Sequence, residues 1–299
     1  MTVLVAATFD DDEWRAWQPL LEAALPRERL VRDRNDPASI DIALVANPPR
    51  GALQGLPALK LIQSLWAGVD KLLADPSVPT DVPLARMVDP AMNAAMAETA
   101  LWAVLSLQRG FFDYAAQQRA GEWRQLALRS AGDINVVVLG LGQMGRRAAQ
   151  ALLQQGYRVV GWSTRDGDAV LPQVLARADI VVNLLPLTPS TRGIVNANTL
   201  AQMPRGASFV NLARGAHVVE ADLLEALASG HIAHAVLDVF ETEPLPIGHA
   251  FWSHPNVTVL PHVAAPTDPR SAARIAAANV QALRDGRPLA HLVDRSRGY

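Results

Sequence analysis

Apolar residues fall into two alternating arrangements along this chain. Short unbroken aliphatic runs predict buried strands. Between them lie longer stretches in which apolar positions return every three or four residues, which predict helices. In the first third of the chain the strands are "VLVAA" (3–7), "IDIALVAN" (40–47), "LKLIQSL" (59–65) and "VPLAR" (82–86), and "DEWRAWQPLLEAAL" is an amphipathic helix. Pro-rich connections such as "NPPRG" and "DPSVPTDVP" link them into a small doubly wound unit. The stretch "AMNAAMAETALWAVLSLQRGFFDYAAQQRAG" then predicts one helix far longer than the others. It is apolar around much of its circumference, as expected of a helix that joins domains or packs at a subunit interface.

A second alternating series starts at Asp133, with strands "INVVVLG", "RVVGW", "DIVVNLL", "SFVNLA", "IAHAVLDVF" and "NVTVLP". Helical stretches separate them, among them "QMGRRAAQALLQQG" and "VVEADLLEALASG", and "DPRSAARIAAANVQALRDG" is a last helix. Strand and helix in strict alternation predict parallel strands with helices on both faces. The fold class is therefore α/β, with two Rossmann-like doubly wound parallel sheets.

Composition narrows the function. The chain has 299 residues, half of them hydrophobic, and a net charge of −2 with both signs dispersed. No basic block points to nucleic acid. The absence of cysteine excludes disulfides, thiolate metal sites and cysteine nucleophiles, and no metal site is expected. The N-terminal apolar run is too short for a signal peptide, and no stretch approaches the ~18 apolar residues of a membrane span. The expectation is a soluble cytoplasmic protein with no membrane partner.

Gly140, Gly142 and Gly145 in "LGLGQMGRRAAQAL" have the GxGxxG spacing, between a β-branched run and a helical one. Gly140 permits a tight turn, Gly142 lets a pyrophosphate approach the backbone, and Gly145 lets helix and strand pack closely. Leu141, Gln143 and Met144 complete the turn, with N–H groups at the positive end of the helix. The next strand runs into "WSTRDGD". An acid at its end would bind a ribose 2′-hydroxyl. Ser163, Thr164 and Arg165 stand there instead, a set suited to a 2′-phosphate. The reading is an NADPH pocket, with NADH possible. In the alternative, Arg165 is a solvated loop residue, and Asp166 or Asp168 reaches the ribose.

Ligands of an open parallel sheet sit beyond the carboxyl ends of its strands. In the second series those ends carry Pro186; Ala213 and Arg214; Asp238, with Glu241 and Glu243 following; and Pro261 with His262. Leu185, Thr191, Leu212 and Ala264 join Pro186, Ala213 and Asp238 in the expected cofactor-binding set. An arginine, an acid and a histidine on one edge suit the reduction of a ketone that carries a carboxylate. Arg214 would hold the carboxylate, His262 would donate the proton, and Glu243 would keep His262 protonated. His254, in "SHPN", is the nearest competitor, but it precedes its strand rather than following it.

The segments "NLARGAHVVEADLLEAL", "LDVFETEPLP" and "HPNVTVLPHVAAP" resemble the signature segments of the D-isomer-specific 2-hydroxyacid dehydrogenases. The likeness runs from "SLWAGVDKLL" to the C-terminus, and "WSTR" and "VDRSRGY" look most like the bacterial glyoxylate/hydroxypyruvate reductase A branch. The resemblance implies that Arg214, Glu243 and His262 are catalytic and that Asp238 contacts the nicotinamide carboxamide. It also implies that the "WAGVD" loop binds the substrate carboxylate through backbone N–H groups at Ala67 and Gly68. Trp66, in the same loop, either narrows the pocket or packs against its own domain. The implied architecture is a substrate domain (1–92 plus 268–299) and a dinucleotide-binding domain (93–267). A cleft separates them, and a homodimer forms through the cofactor domain. The implied reaction is NADPH-dependent reduction of glyoxylate and hydroxypyruvate. Three alternatives stand beside it: a cofactor-sensing binding protein on the same fold, an NADH-linked reductase of another 2-keto acid, and a formate or phosphite dehydrogenase. The formate branch has glutamine where Glu243 stands, which counts against the last.

Overall fold

The computed structural model describes residues 1–299 and divides them into two compact units, Met1–Met92 with Thr267–Tyr299, and Asn93–Pro266. Each is an α/β unit built on one parallel sheet.

The first unit contains β1 (Thr2–Ala7), α1 (Asp11–Ala24), β2 (Arg29–Val31), β3 (Ile40–Ala46), β4 (Leu61–Ser64), α2 (Asp70–Ala74) and β5 (Leu84–Ala85). Its sheet order is β2-β1-β3-β4-β5. Every residue of β3 and β4 is buried, which is why neither strand alternates apolar with exposed polar positions; the polar members, Asp41, Gln63 and Ser64, are buried too. A reciprocal capping box starts α1: Asp10 accepts the N–H groups of Asp12 and Glu13, and the Glu13 carboxylate accepts the Asp10 N–H. The C-terminal helix, Pro269–Arg284, packs on α1. Its Asn279 donates to Gln63 of β4 at 2.7 Å, and its Arg284 pairs with Glu28 (2.8 Å) and Asp41, all largely buried.

The second unit contains α3 (Pro90–Gln108), whose first residues lie at the boundary, α4 (Phe111–Ala120), β6 (Asn135–Leu139), α5 (Gln143–Gln154), β7 (Arg158–Trp162), α6 (Leu171–Leu175), β8 (Ile180–Asn183), α7 (Ala197–Ala201), β9 (Ala207–Asn211), α8 (Glu220–Ala228), β10 (Ile232–Leu237), α9 (Ala250–Ser253) and β11 (Val257–Val259). The sheet order is β11-β10-β9-β8-β6-β7. Successive side chains of β6 feed opposite cores. Val137 and Leu139 join Trp162, Phe209 and Phe251 on one face, and Val136 and Val138 join Ala100, Val104 and Leu152 on the other. The order reverses between β6 and β8, so the carboxyl ends of those strands flank a topological switch point, where such sheets bind their ligands.

The structure departs from the sequence reading in three places. The single long helix is broken at Gly110, which takes the left-handed conformation (φ +64) between α3 and α4. A Cβ there would lie 2.8 Å from Leu126 Cδ1, so the turn needs glycine on two counts. The segment "VPLAR" yields only a two-residue strand. The edge strand β2 and the short helices α6, α7 and α9 are not singled out by the sequence, because three to five residues are too few to display a period. No helix is long and apolar enough to cross a membrane.

Candidate active site

The glycine turn sits at the switch point. Gly140 has φ +97, and a Cβ on it would lie 2.5 Å from the Leu184 carbonyl oxygen. Only glycine lets the turn press against the chain leaving β8. A Cβ on Gly145 would fall 1.8 Å from the Gly140 oxygen, so helix and turn are in backbone contact. Gly142 is the opposite case. It is the N-cap of α5, has no capping side chain, is exposed, and a Cβ there would meet nothing within 4 Å. Open space therefore faces the first N–H groups of α5, those of exposed Gln143 and half-buried Met144. Leu141 lies across Gly161 of β7, where a Cβ would come 2.5 Å from Leu141 Cδ2. This cradle fits a dinucleotide pyrophosphate: a helix N-terminus with free donors and no side chain in the way.

At the end of β7, Ser163 caps a 3₁₀ turn, Thr164–Asp166. Its N–H and hydroxyl both donate to Asp166 Oδ2, at 2.7 and 2.9 Å. Those bonds, the backbone one first, hold the Asp166 carboxyl below its ordinary range. The Ser163 hydroxyl, expected to face a phosphate, is engaged by its own loop. Thr164 and Arg165 are exposed.

Beyond β8, buried Leu185 donates its N–H to Asn183 Oδ1 at 3.2 Å. The Pro186 carbonyl accepts the Thr191 hydroxyl at 2.8 Å, and Thr191 is wholly buried, so its side chain shapes this loop from within. Beyond β9, Leu212 and Ala213 are buried, and Arg214 is half-buried in extended conformation with Nη1 donating to the Ala213 carbonyl at 2.7 Å. Gly215 is pressed against the chain after β10. A Cβ on it would sit 1.8 Å from the Phe240 carbonyl carbon. That contact brings the Arg214 segment against the segment carrying Glu243.

His262 Nδ1 lies 2.8 Å from Glu243 Oε2, and Glu243 Oε1 accepts the Phe240 N–H at 3.0 Å. Burial pushes the Glu243 carboxyl up. The hydrogen bond to His262, the Phe240 N–H and the charges of His262 and Arg214 outweigh it, so the carboxyl ends below its ordinary value. His262 has φ +56 and its N–H donates to the Asp238 carbonyl at 2.9 Å. Asp238 is buried, and its two carboxylate oxygens accept the N–H groups of Val263 (2.7 Å) and Ala264 (3.0 Å). Burial raises its pKa against the pull of those bonds.

In the first unit, Trp66, Ala67 and Gly68 follow β4, all half-buried. The Trp66 N–H donates to Ser64 Oγ at 3.1 Å, and its carbonyl accepts the Met87 N–H at 3.1 Å. Its indole meets Phe9 and Trp17 edge-on, at 6.1 and 5.9 Å between ring centroids, so it packs into an aromatic cluster of its own unit. Three buried polar residues, Asn183 and Asn211 at strand ends and His217 in the 3₁₀ turn after Arg214, fell outside the expected set. The signal in the sequence was an asparagine closing an apolar run twice, in "VVN" and "FVN".

Residues 101–264, more than half of the chain, match the family model of the D-isomer specific 2-hydroxyacid dehydrogenase NAD binding domain. The chain belongs to that dehydrogenase family. It is therefore an oxidoreductase with the family's NAD binding domain. Relatives named glyoxylate/hydroxypyruvate reductase A are similar over nearly the whole length: that of Serratia proteamaculans is 40% identical, covering 97% of each chain, and that of Klebsiella pneumoniae strain 342 is 40% identical, covering 98% of this chain and 97% of the relative. Among solved dehydrogenases, one from Xanthobacter autotrophicus Py2, in complex with NADPH and MES, is 43% identical with a TM-score of 0.93, covering 99% of this chain and 100% of that one. An NADPH-dependent glyoxylate/hydroxypyruvate reductase from Sinorhizobium meliloti, in complex with NADP and sulfate, is 36% identical with a TM-score of 0.93, covering 100% and 99%.

Proposed function

We propose that this chain catalyses the NADPH-dependent reduction of short 2-keto acids, glyoxylate to glycolate and hydroxypyruvate to glycerate. The observation that carries the reading is the 2.8 Å bond between His262 Nδ1 and Glu243 Oε2. It leaves Nε2 as the nitrogen that gives a proton to the substrate oxygen, while an ionised Glu243 favours the imidazolium and fixes the ring. Arg214 is the carboxylate clamp, its planar fork also polarising the carbonyl. Ala67 and Gly68, in the loop after β4, offer backbone N–H groups suited to a carboxylate, and Trp66 packs into the aromatic cluster of the first unit. The reduced nicotinamide, when bound, supplies the hydride. Gly140, Leu141, Gly142, Gln143, Met144 and Gly145 hold the pyrophosphate. Arg165, which is exposed, takes the 2′-phosphate, with Thr164 beside it.

Names of relatives and cofactors in solved neighbours support this reading. We further infer a cytoplasmic homodimer formed through the second unit. The test is a panel of 2-keto acids crossed with NADPH and NADH, read by absorbance of the reduced nicotinamide. Turnover of glyoxylate and hydroxypyruvate with NADPH preferred is the expected result. NADPH binding without turnover of any keto acid would make the chain a cofactor-sensing protein. Preference for NADH and a longer keto acid would overturn both the substrate and the cofactor assignment.

A further inference from the structure

Asn183 and Asn211 close β8 and β9, and His217 lies one turn beyond β9; all three are fully buried. Buried polar groups persist only where they are bonded, so their partners state what they are for. His217 Nε2 lies 3.2 Å from the Pro186 carbonyl oxygen, which only accepts, so Nε2 carries the proton. Nδ1 is then a lone pair, and it accepts from Asn183 Nδ2 at 3.1 Å. The other Asn183 N–H donates to Asn211 Oδ1 at 3.0 Å, and Asn211 Nδ2 donates to the Arg214 carbonyl at 3.0 Å. The carbonyl side chains are used as well: Asn183 Oδ1 accepts the Leu185 N–H at 3.2 Å, and Asn211 Oδ1 accepts the Ala213 N–H at 3.3 Å. The Arg214 carbonyl also accepts the His217 N–H at 3.2 Å.

We infer that Asn211, Asn183 and His217 are positioning residues for Arg214, and that they set its backbone against the loop at Leu185 and Pro186. This rests on the reading of Arg214 as the carboxylate clamp. The side-chain bonds just described that leave the trio end on the main chain of these two loops, at Leu185, Pro186, Ala213 and Arg214. Fixing the Arg214 carbonyl fixes its ψ, and with Gly215 locked against Phe240 the Cα–Cβ direction of Arg214 has little freedom left. The network needs neutral His217 in one tautomer, because a proton on Nδ1 would confront the Asn183 N–H.

The test is a double-mutant cycle with Asn211→Ala, Arg214→Lys and the pair, assayed for KM and kcat with glyoxylate and for the NADPH Kd. Asn211→Ala should raise KM about tenfold, because it removes the bond to the Arg214 carbonyl together with those from Asn183 and Ala213, with the NADPH Kd within about twofold. In the Arg214→Lys background the same substitution should add less than about twofold, because the group it aims is already gone. Multiplying effects, unchanged steady-state constants, or an NADPH Kd that rises as much as KM would each overturn the inference. Should Asn211→Ala fail to fold, His217→Gln keeps a donor for Pro186 and removes only the ring acceptor; it should raise KM about threefold with NADPH binding retained, and no change would overturn the inference. An Arg214→Lys single variant equal to wild type would refute the clamp itself, a failure visible before the cycle is closed.

Discussion

His262 adopts φ +56, a region that side-chain-bearing residues enter only when their surroundings hold them there. Asp238 does the holding, through its carbonyl to His262 and its carboxylate to Val263 and Ala264. Such fixation suits a proton donor, which loses rate if its ring wanders. His262→Ala should lower kcat for keto-acid reduction by roughly 10²–10⁴-fold, the usual worth of general acid catalysis, and leave the NADPH Kd nearly unchanged. His254→Ala is the control. Its Nδ1 accepts the Asn256 N–H at 3.2 Å ahead of β11, a turn cap with no part in the site, and its kcat should stay close to wild type. A His262 variant that keeps more than half of the wild-type rate would end the assignment. Arg165 poses a different question, because it acts on ground and transition states alike. A charge-assisted bond contributes roughly 1.5–3 kcal/mol, so Arg165→Ala should weaken NADPH by about ten- to a hundredfold and leave NADH alone. Equal losses for both cofactors in titration would make Arg165 an ordinary loop residue.

Elements show where sequence reading succeeds and where it stops. The strands of the second unit were legible as aliphatic runs: the inner strands β6, β8 and β9 are buried almost throughout, and the edge strands β7 and β11, more exposed, still carry valines. The strand-end rule gave Pro186, Ala213, Arg214, Asp238, Glu241, Glu243, Pro261 and His262 together, and position did not choose among them: charge and acid–base chemistry picked Arg214, Glu243 and His262, and the resemblance picked Asp238. The break at Gly110 was not legible, because a glycine inside an apolar helical pattern leaves its period intact, and only Leu126 and the left-handed φ show why the chain must turn. Nor was the Asn183–Asn211–His217 network, since a period says nothing about what a buried amide bonds to. The turn at Gly110 brings α4 to the sheet, where Phe112 stacks on His234 of β10 (4.5 Å between centroids, 4° between planes) and His234 Nε2 lies 2.9 Å from Thr258 Oγ1 of β11. Burial, with the charge of His254 adding to it, lowers the His234 pKa from the ordinary 6.5 to about 4. The folded state therefore binds this proton later than the unfolded one. Stability from this group is complete above about pH 6.5 and is lost as pH falls toward 4, a loss of up to about 3 kcal/mol. Melting curves of wild type and His234→Asn across that range should converge as pH falls, the variant lacking this part of the acid sensitivity. Parallel losses in the two proteins would show that His234 is not the group responsible.

At the scale of the whole molecule, the second unit carries an apolar surface that its own core does not use. One side of α3 is buried through Ala100, Ala103 and Val104, while Trp102 and Leu105 on the same helix are 41% and 39% exposed. Phe111 opens α4 at 51% exposure, and Trp123, beyond it, is 97% exposed. Scattered apolar residues are ordinary on a surface, but Trp102 and Leu105 stand one turn apart on α3, and Phe111 and Trp123 follow within the next eighteen residues. A net charge of −2 puts little repulsion between copies. Aromatic side chains of this kind anchor interfaces, because each buries a large area for few rotatable bonds. The homodimer proposed above would cover this surface, and by symmetry each copy would present the same patch to the other. In sedimentation velocity at micromolar concentration, wild type should run at twice the 32.1 kDa chain mass, and Trp102→Glu with Leu105→Glu at the chain mass. Both substituted positions are partly exposed already, so the fold of the second unit should survive, which far-UV circular dichroism would check. A wild type that sediments as a single chain would remove the dimer. A double variant that still dimerises would move the interface off α3, leaving the apolar surface there in need of another occupant.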